Sequence, residues 1–120
     1  MERVLIPLLL ALALIAPGSL AEDVADREIQ HLLSFVENSG CNFHRNGADH
    51  DSAAAADHLR LKYRRGGRYA DTAEHFIDRL ASESSWTGET YTVTCEGKTE
   101  PSGEWLHREL QAYRVAASGD

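Results

Sequence analysis

The chain has 120 residues, of which 19 are acidic and 12 are basic, and its formal net charge at neutral pH is −7. Such a charge is poorly suited to the phosphate backbone of nucleic acids, because proteins that bind nucleic acids carry a basic face. The length allows one domain with a modest hydrophobic core. We therefore expect a small domain without a nucleic-acid partner.

The first segment of the chain is apolar. Residues 4–16 read VLIPLLLALALIA and follow Arg3. This run is long enough for the apolar region of a signal peptide, and it falls short of the roughly 20 residues that span a bilayer. Small residues precede Glu22, which predicts cleavage after Ala21. A buried helix or a retained membrane anchor is the alternative, but no stop-transfer charges follow the run.

Cleavage at that point divides the chain into two parts. We expect a signal peptide over residues 1–21 and a single globular domain over residues 22–120, with a core of about 28–115. Because Glu2 and Arg3 leave together, the mature chain keeps the net charge of −7. The prediction is a periplasmic or secreted protein with no membrane span in its mature chain.

The mature chain begins with a helix and a short strand. The helix is capped by Asp23 or Asp26 and ends at Ser39–Gly40, and its apolar positions have helical spacing: Ile29, Leu32, Leu33 and Val36. Apolar and polar side chains alternate over residues 41–45, which predicts a short strand that ends in a turn at Asn46–Gly47.

Two further helices follow. The second begins at Asp51 or Ser52 and ends at Gly66–Gly67. For the third, Asp71 is the predicted N-cap and Glu74 is expected to bond back to it. The apolar side chains of this third helix face the core: Phe76, Ile77 and Leu80.

The last part of the chain contains a strand, a turn and a helix. Residues 90–95 form the strongest strand pattern, with β-branched and aromatic residues throughout. A turn over residues 97–103 contains Pro101, and the final helix begins near Ser102.

Cys41 and Cys95 are the two cysteines of the chain. In an oxidising compartment, an even pair in a small domain forms one disulfide, which here would join the two predicted strands. A free catalytic thiol is the alternative, and it would need surroundings that lower its pKa. The predicted fold class is α+β: a small single domain with three or four helices packed on a short two-strand ribbon and one disulfide.

Several segments together resemble a known family. The segments keep their order and spacing over residues 28–115: Phe43–Gly47 with His50, His58–Lys62, Asp71–Glu74, and Ala81–Ser85 followed by Tyr91. They are similar to a family of small exported bacterial proteins catalogued as a domain of unknown function, which includes an uncharacterised periplasmic protein of enteric bacteria. The resemblance implies a Gram-negative periplasmic or secreted setting, and it implies no catalytic residue, cofactor or partner.

Arg45 and Asn46 are the first candidate binding residues. A guanidinium at a tight turn can clamp a carboxylate or phosphate with two parallel hydrogen bonds. It can also pair with an acid of the same chain, which we favour because the domain is acidic. Asn46 is suited to the turn itself.

His50 and His58 are the next candidates, with Lys62 one helical turn beyond His58. Histidines near Asp49, Asp51 and Asp57 can ligate zinc, but the two are not spaced to share one helical face. In the simpler interpretation, His58 donates a hydrogen bond to a backbone carbonyl, and His50 closes off the start of the second helix. We therefore expect no cofactor or metal.

The chain contains two further polar clusters, one basic and one of hydroxyl residues. Five basic residues follow His58 within nine positions, where they complement the helix dipole or meet an anionic surface: Arg60, Lys62, Arg64, Arg65 and Arg68. Hydroxyl residues at 82–87 show no nucleophile-elbow pattern, so capping and turn formation are their expected use.

The sequence leaves the function open between two classes. We favour a non-enzymatic periplasmic or secreted binding module, whose partner is an unknown protein or a small anionic ligand. The candidate binding residues are Arg45, Asn46, His50, His58 and Lys62. The alternative is a small hydrolase or metal-dependent enzyme that uses His50 and His58, which would gather its polar groups in a concave pocket.

Overall fold

The structure is a computed structural model, and it describes residues 17–119. The predicted apolar signal segment, residues 4–16, lies outside this range. The elements in chain order are α1 (Pro17–Asn38), β1 (Asn42–Arg45), β2 (Ala48–His50), α2 (Ser52–Gly66), a 3₁₀ turn (Gly67–Tyr69), α3 (Ala73–Phe76), a π-helical turn (Ile77–Ala81), β3 (Thr92–Cys95), β4 (Lys98–Pro101) and α4 (Ser102–Ser118).

The sheet is antiparallel, with four strands in the order β2-β1-β3-β4 within the described range. It consists of two hairpins joined side by side through β1 and β3, where Phe43 lies opposite Val93. Asn46 and Gly47 have φ angles of 51° and 79°, and Glu96 and Gly97 have φ angles of 52° and 80°. Positive φ at both central residues is what a type I′ hairpin turn requires.

The α+β class is confirmed, whereas the two-strand ribbon is only the centre of a wider sheet. The predicted turn over residues 97–103 is wrong, because residues 98–101 form β4. Both additional strands lie at the edges of the sheet, where short and polar sequences such as Ala-Asp-His and Lys-Thr-Glu-Pro are common. Their side chains therefore lack the apolar alternation that identifies a buried strand.

The helices bury the predicted apolar faces in one core. Ile29, Leu32, Leu33 and Val36 of α1 are each 0–1% exposed, and they belong to one hydrophobic cluster with residues of the other helices and the sheet. The predicted caps of α1 are wrong, because the helix begins at Pro17 and passes through Asp23 and Asp26. α2 begins at Ser52, one of its two predicted starts, and the Asp51 carboxylate caps it by accepting a hydrogen bond from the Ala54 amide at 2.8 Å.

The cap of α3 differs from the prediction by one residue. Thr72 accepts the hydrogen bond from the His75 amide at 3.0 Å, whereas the Asp71 carboxylate contacts the His75 ring. Glu74 does not bond back to the cap, since it pairs with Arg114 at 2.6 Å. A long-range ion pair therefore replaces the local bond that sequence spacing predicts.

The disulfide is confirmed. Cys41 and Cys95 are bonded with their Cα atoms 4.7 Å apart, which links the residue before β1 to the last residue of β3. No helix within residues 17–119 combines the length and the apolar character that a membrane crossing needs.

Arg114 of α4 joins this helix to α1 and α3 through ion pairs. Its guanidinium donates two hydrogen bonds to Glu28 of α1, at 2.8 and 2.9 Å, and two to Glu74 of α3, at 2.6 and 3.1 Å. Glu28 is only 8% exposed, so its charge depends on this partner. We call Glu28, Glu74 and Arg114 the arginine clamp.

Candidate functional site

A cleft of about 440 Å³ opens beside α2, where the first hairpin turn meets the loop after the π-helical turn. Its lining combines basic, aromatic and hydroxyl side chains: Arg45, Asn46, His58, Lys62, Arg65, Tyr69, Ser84, Ser85, Trp86 and Tyr91. The volume lies in the range of sites that hold small molecules. Four of the five predicted binding residues line this cleft, and they come from two separate segments of the chain.

Arg45 ends β1 and faces the cleft. Its side chain forms neither an ion pair nor a hydrogen bond with any residue from 17 to 119, so the internal acidic partner that we favoured is not found there. The acids that follow it in the chain are already engaged, because Asp49 contacts His44 and Asp51 caps α2. Arg45 is therefore a cation whose hydrogen-bonding groups remain available.

Lys62 lies on α2 beside Arg45 and is half-buried. Its ammonium donates hydrogen bonds to the Tyr91 hydroxyl at 3.1 Å and to the Glu83 carbonyl at 3.2 Å. Burial lowers the pKa of Lys62 to about 8, with a further contribution from the positive charge of Arg45, while the Glu83 carboxylate acts in the opposite direction. Arg45, Lys62 and Arg65 thus all line this cleft, and Glu83 opposes the effect of Arg45 on Lys62.

His58 lies one helical turn before Lys62. Its Nε2 is 3.5 Å from the Tyr91 hydroxyl, so the predicted contact with a backbone carbonyl is replaced by a side-chain partner. Burial lowers the pKa of His58 to about 4, and the charges of Arg45 and Lys62 add to the effect. Burial also raises the pKa of Tyr91. At neutral pH the cleft therefore contains a neutral imidazole and a neutral phenol beside its cations.

Asn46 connects the hairpin turn to the opposite wall of the cleft. Its amide donates to the Ser84 hydroxyl at 3.3 Å, and its carbonyl oxygen accepts from the Thr87 hydroxyl at 3.0 Å. The Ser84 hydroxyl also accepts hydrogen bonds from the backbone amides of Trp86 and Thr87, each at 3.2 Å. The hydroxyl cluster thus shapes a turn, as the sequence predicts, and that turn carries Trp86 at the cleft.

His50 is the predicted binding residue that does not line the cleft. It lies against a separate cavity of about 30 Å³, where its Nε2 is buried without a hydrogen-bond partner among the described residues. His58 lines both spaces. No third His, Cys, Asp or Glu joins the two histidines as a possible metal ligand within residues 17–119.

The basic stretch after His58 divides between two environments. Lys62 and Arg65 face the cleft, whereas Arg60 points to the opposite side and pairs with Glu37 and Asp57. The guanidinium of Arg68 lies 4.7 Å from the centre of the Tyr69 ring. Only part of the stretch is therefore available to a ligand in the cleft.

Sequence reasoning missed the aromatic residues of the cleft. Tyr91 is buried just before β3, yet its hydroxyl reaches the cleft and accepts a hydrogen bond from Lys62. Trp86 had a usable signal, because a tryptophan surrounded by Ser, Thr and Gly without apolar neighbours at helical or strand spacing is expected at the surface.

Comparison with known proteins identifies the class of this chain. Residues 23–114 match a family of unknown function, DUF5329, so the chain belongs to that family and the resemblance seen in the sequence is confirmed.

A curated relative is the uncharacterised protein YfeK of Salmonella typhimurium strain LT2, which is 43% identical over 60 residues. The matched region covers 50% of each chain, so this chain spans about half the length of that relative. No solved structure matches the chain. Neither the family description nor the name of the relative states a ligand, partner or activity.

Proposed function

We propose that this protein is an exported, non-enzymatic binding module that holds a small anionic ligand in the cleft. The observation that carries the proposal is Arg45, which faces the cleft next to Lys62 without an ion pair to any acid of the described chain. A guanidinium presents a planar fork to a carboxylate or phosphate, and an ammonium adds a second point charge.

The electrostatics of the cleft support an anion in particular. The lowered pKa of Lys62 reflects burial and repulsion by Arg45, so a negative group between the two cations would relieve both costs. A bound anion would consequently raise the pKa of Lys62, and binding near pH 8 would take up protons. Neutral ligands would leave this repulsion in place.

The size of the cleft favours a small ligand over a protein surface. A space of about 440 Å³ is typical of small-molecule sites, whereas stable protein interfaces use broad patches. Export is supported by the apolar run at residues 4–16 and by the Cys41–Cys95 bond, which is typical of oxidising compartments.

The test is a titration with citrate and with inorganic phosphate, followed by backbone amide shifts of the cleft residues in NMR spectra. Both anions should shift residues of the Arg45–Lys62 region, and added salt should weaken the effect only gradually, since the cations are partly buried. Arg45→Lys should abolish the shifts and leave the melting temperature unchanged, because lysine cannot reproduce the fork.

The matched control is Arg64→Lys. Arg64 is an exposed residue of α2 that does not line the cleft, so its replacement should leave the titration unaltered. The proposal would be wrong if Arg45→Lys showed the same amide shifts as the wild-type protein, or if both variants lost these shifts equally.

A further inference from the structure

We infer that the ligand of the cleft is an acid built on a ring, with its anionic group held between Arg45 and Lys62 and the flat face of its ring packed on Trp86. This inference rests on the proposed function, because it takes the two cations as the anion-binding end. It adds the second half of the ligand and the residue that recognises it.

Trp86 is the most exposed large apolar side chain among the described residues, at 96%. An indole in this position contributes nothing to the core and leaves its apolar surface in water, where it is unfavourable. A tryptophan next to a cationic cleft has, however, the shape and rigidity of a contact surface: it offers a large area and has only two rotatable side-chain bonds.

The loop that carries Trp86 is held in place before any ligand arrives. The Gly88 amide donates to the Ser84 carbonyl, and the Ser84 amide donates to the Glu89 carbonyl, both at 2.9 Å. Together with the bonds to the buried Ser84 hydroxyl, they close the loop on itself. A ligand that binds there does not have to order the loop, which removes one of the main costs of binding.

Further hydrogen bonds link the Trp86 loop to the end of the cleft that carries Arg45. Asn46 follows Arg45 directly in the chain and bonds to Ser84 and Thr87, on either side of Trp86 in the loop. The network therefore holds the two backbone segments from which the Arg45 and Trp86 side chains extend. A ligand that contacts both side chains must carry its charge and its ring within their common reach.

The division of the ligand into two parts follows from the chemistry of the aromatic face. The face of an indole carries negative charge density and attracts ring edges, stacked rings and polarised C–H groups, whereas it repels an anion. Tyr69 is less suitable, because its ring already lies against the Arg68 guanidinium and its hydroxyl accepts a hydrogen bond from it. The acid group therefore belongs beside the cations and the ring beside Trp86.

Two sources share this chemistry, namely sugar acids and aromatic acids, and the experiment separates them. Calorimetric titrations use digalacturonic acid, indole-3-acetate and acetate as probes. We expect one ring acid to bind at least about tenfold more tightly than acetate, which corresponds to about 1.4 kcal/mol. The ring acid whose affinity exceeds that of acetate by the larger factor identifies the source.

Trp86→Ala should remove that advantage while acetate binding stays unchanged, and Trp86→Phe should retain part of it. The matched control, Val115→Ala, removes an exposed apolar side chain of α4 that does not line the cleft, and it should alter no titration. Because Trp86 lies outside the core, all these variants should have the melting temperature of the wild-type protein.

The outcomes distinguish the inference from the proposed function. Ring acids that bind like acetate, or an advantage that survives in Trp86→Ala, would overturn the inference and leave Arg45-dependent anion binding intact. If no probe binds, or if Arg45→Lys binds them all like wild type, both proposals are wrong.

Discussion

Two arginines of this protein have opposite surroundings. Arg114 donates four hydrogen bonds to Glu28 and Glu74 and joins α1, α3 and α4. Arg45 faces a cleft and pairs with no acid in the part of the chain that the structure describes. Several exposed basic residues of the described range also lack an ion pair, and Arg45 differs from them because it lines a cleft beside the half-buried Lys62.

The two arginines differ in how their positive charge is balanced. The arginine clamp balances its charges internally, and the hydrogen bonds from Arg114 lower the pKa of Glu74, with a smaller contribution from its positive charge. The cleft keeps two cations close together, and the pKa values of Lys62 and His58 are lowered by burial and by these charges. Unrelieved repulsion of this kind is typical of sites that await a ligand.

The largest expected effect concerns the disulfide that joins β1 to β3. Cys41 precedes β1 and Cys95 ends β3, and the bond between them closes a loop of 54 residues. Replacing both cysteines by alanine should lower the free energy of unfolding by about 4 kcal/mol in the chain-entropy model, measured by urea denaturation. A loss below about 1 kcal/mol would show that removing the disulfide adds little conformational freedom to the unfolded chain.

A smaller loss is expected from the clamp, and it tests the contrast between the two arginines directly. Arg114→Leu leaves Glu28 buried without its partner, which should lower the free energy of unfolding by about 2–3 kcal/mol. The matched change, Arg45→Leu, breaks no ion pair in the described chain and should alter stability by less than about 0.5 kcal/mol. Urea denaturation of both variants decides the matter, and equal losses would contradict the distinction.

The smallest effect is the pH dependence that the cleft imposes on stability. The pKa of His58 is about 4 in the folded protein against an ordinary value of 6.5, so between these values the unfolded chain binds a proton that the folded one does not. Stability should rise with pH through that window and fall as the solution is acidified. Lys62, with a pKa of about 8 against 10.5, should add a rise between those values.

The corresponding measurement is an NMR titration of the His58 ring, combined with unfolding curves of wild type and His58→Gln. The variant should lose the rise between pH 4 and 6.5 while keeping the contributions of the carboxylates. Solvent around the half-buried groups will keep both slopes shallow. A His58 midpoint near 6.5 would remove the basis for this prediction.

The helices were predictable because their signals are local and repeated. The apolar spacing of Ile29, Leu32, Leu33 and Val36 defines one buried face whatever lies opposite, and Asp51 caps α2 through a bond within its own turn. The edge strands carry no such repetition. Their existence depends on the turns at Asn46–Gly47 and Glu96–Gly97, and only the first of these contains the Asn-Gly pair that identifies a hairpin.

The site was predictable only in part, for a related reason. The residue types of Arg45 and Lys62 indicate anion binding, but the choice between a ligand and an internal acid depends on which carboxylates fold nearby. Sequence spacing contains no such information for residues far apart in the chain. The cleft itself depends on Tyr91 and Trp86, which reach it from a strand end and a loop.

The arrangement of the sheet has a consequence for the order in which the chain folds. Each hairpin closes through a two-residue turn, so both can form within microseconds from neighbouring residues. The pairing of β1 with β3 is different, because Phe43 and Val93 must meet across an intervening segment that contains α2 and α3. We therefore expect the joining of β1 to β3 to set the folding rate, since distant contacts must first overcome the entropy of the chain between them.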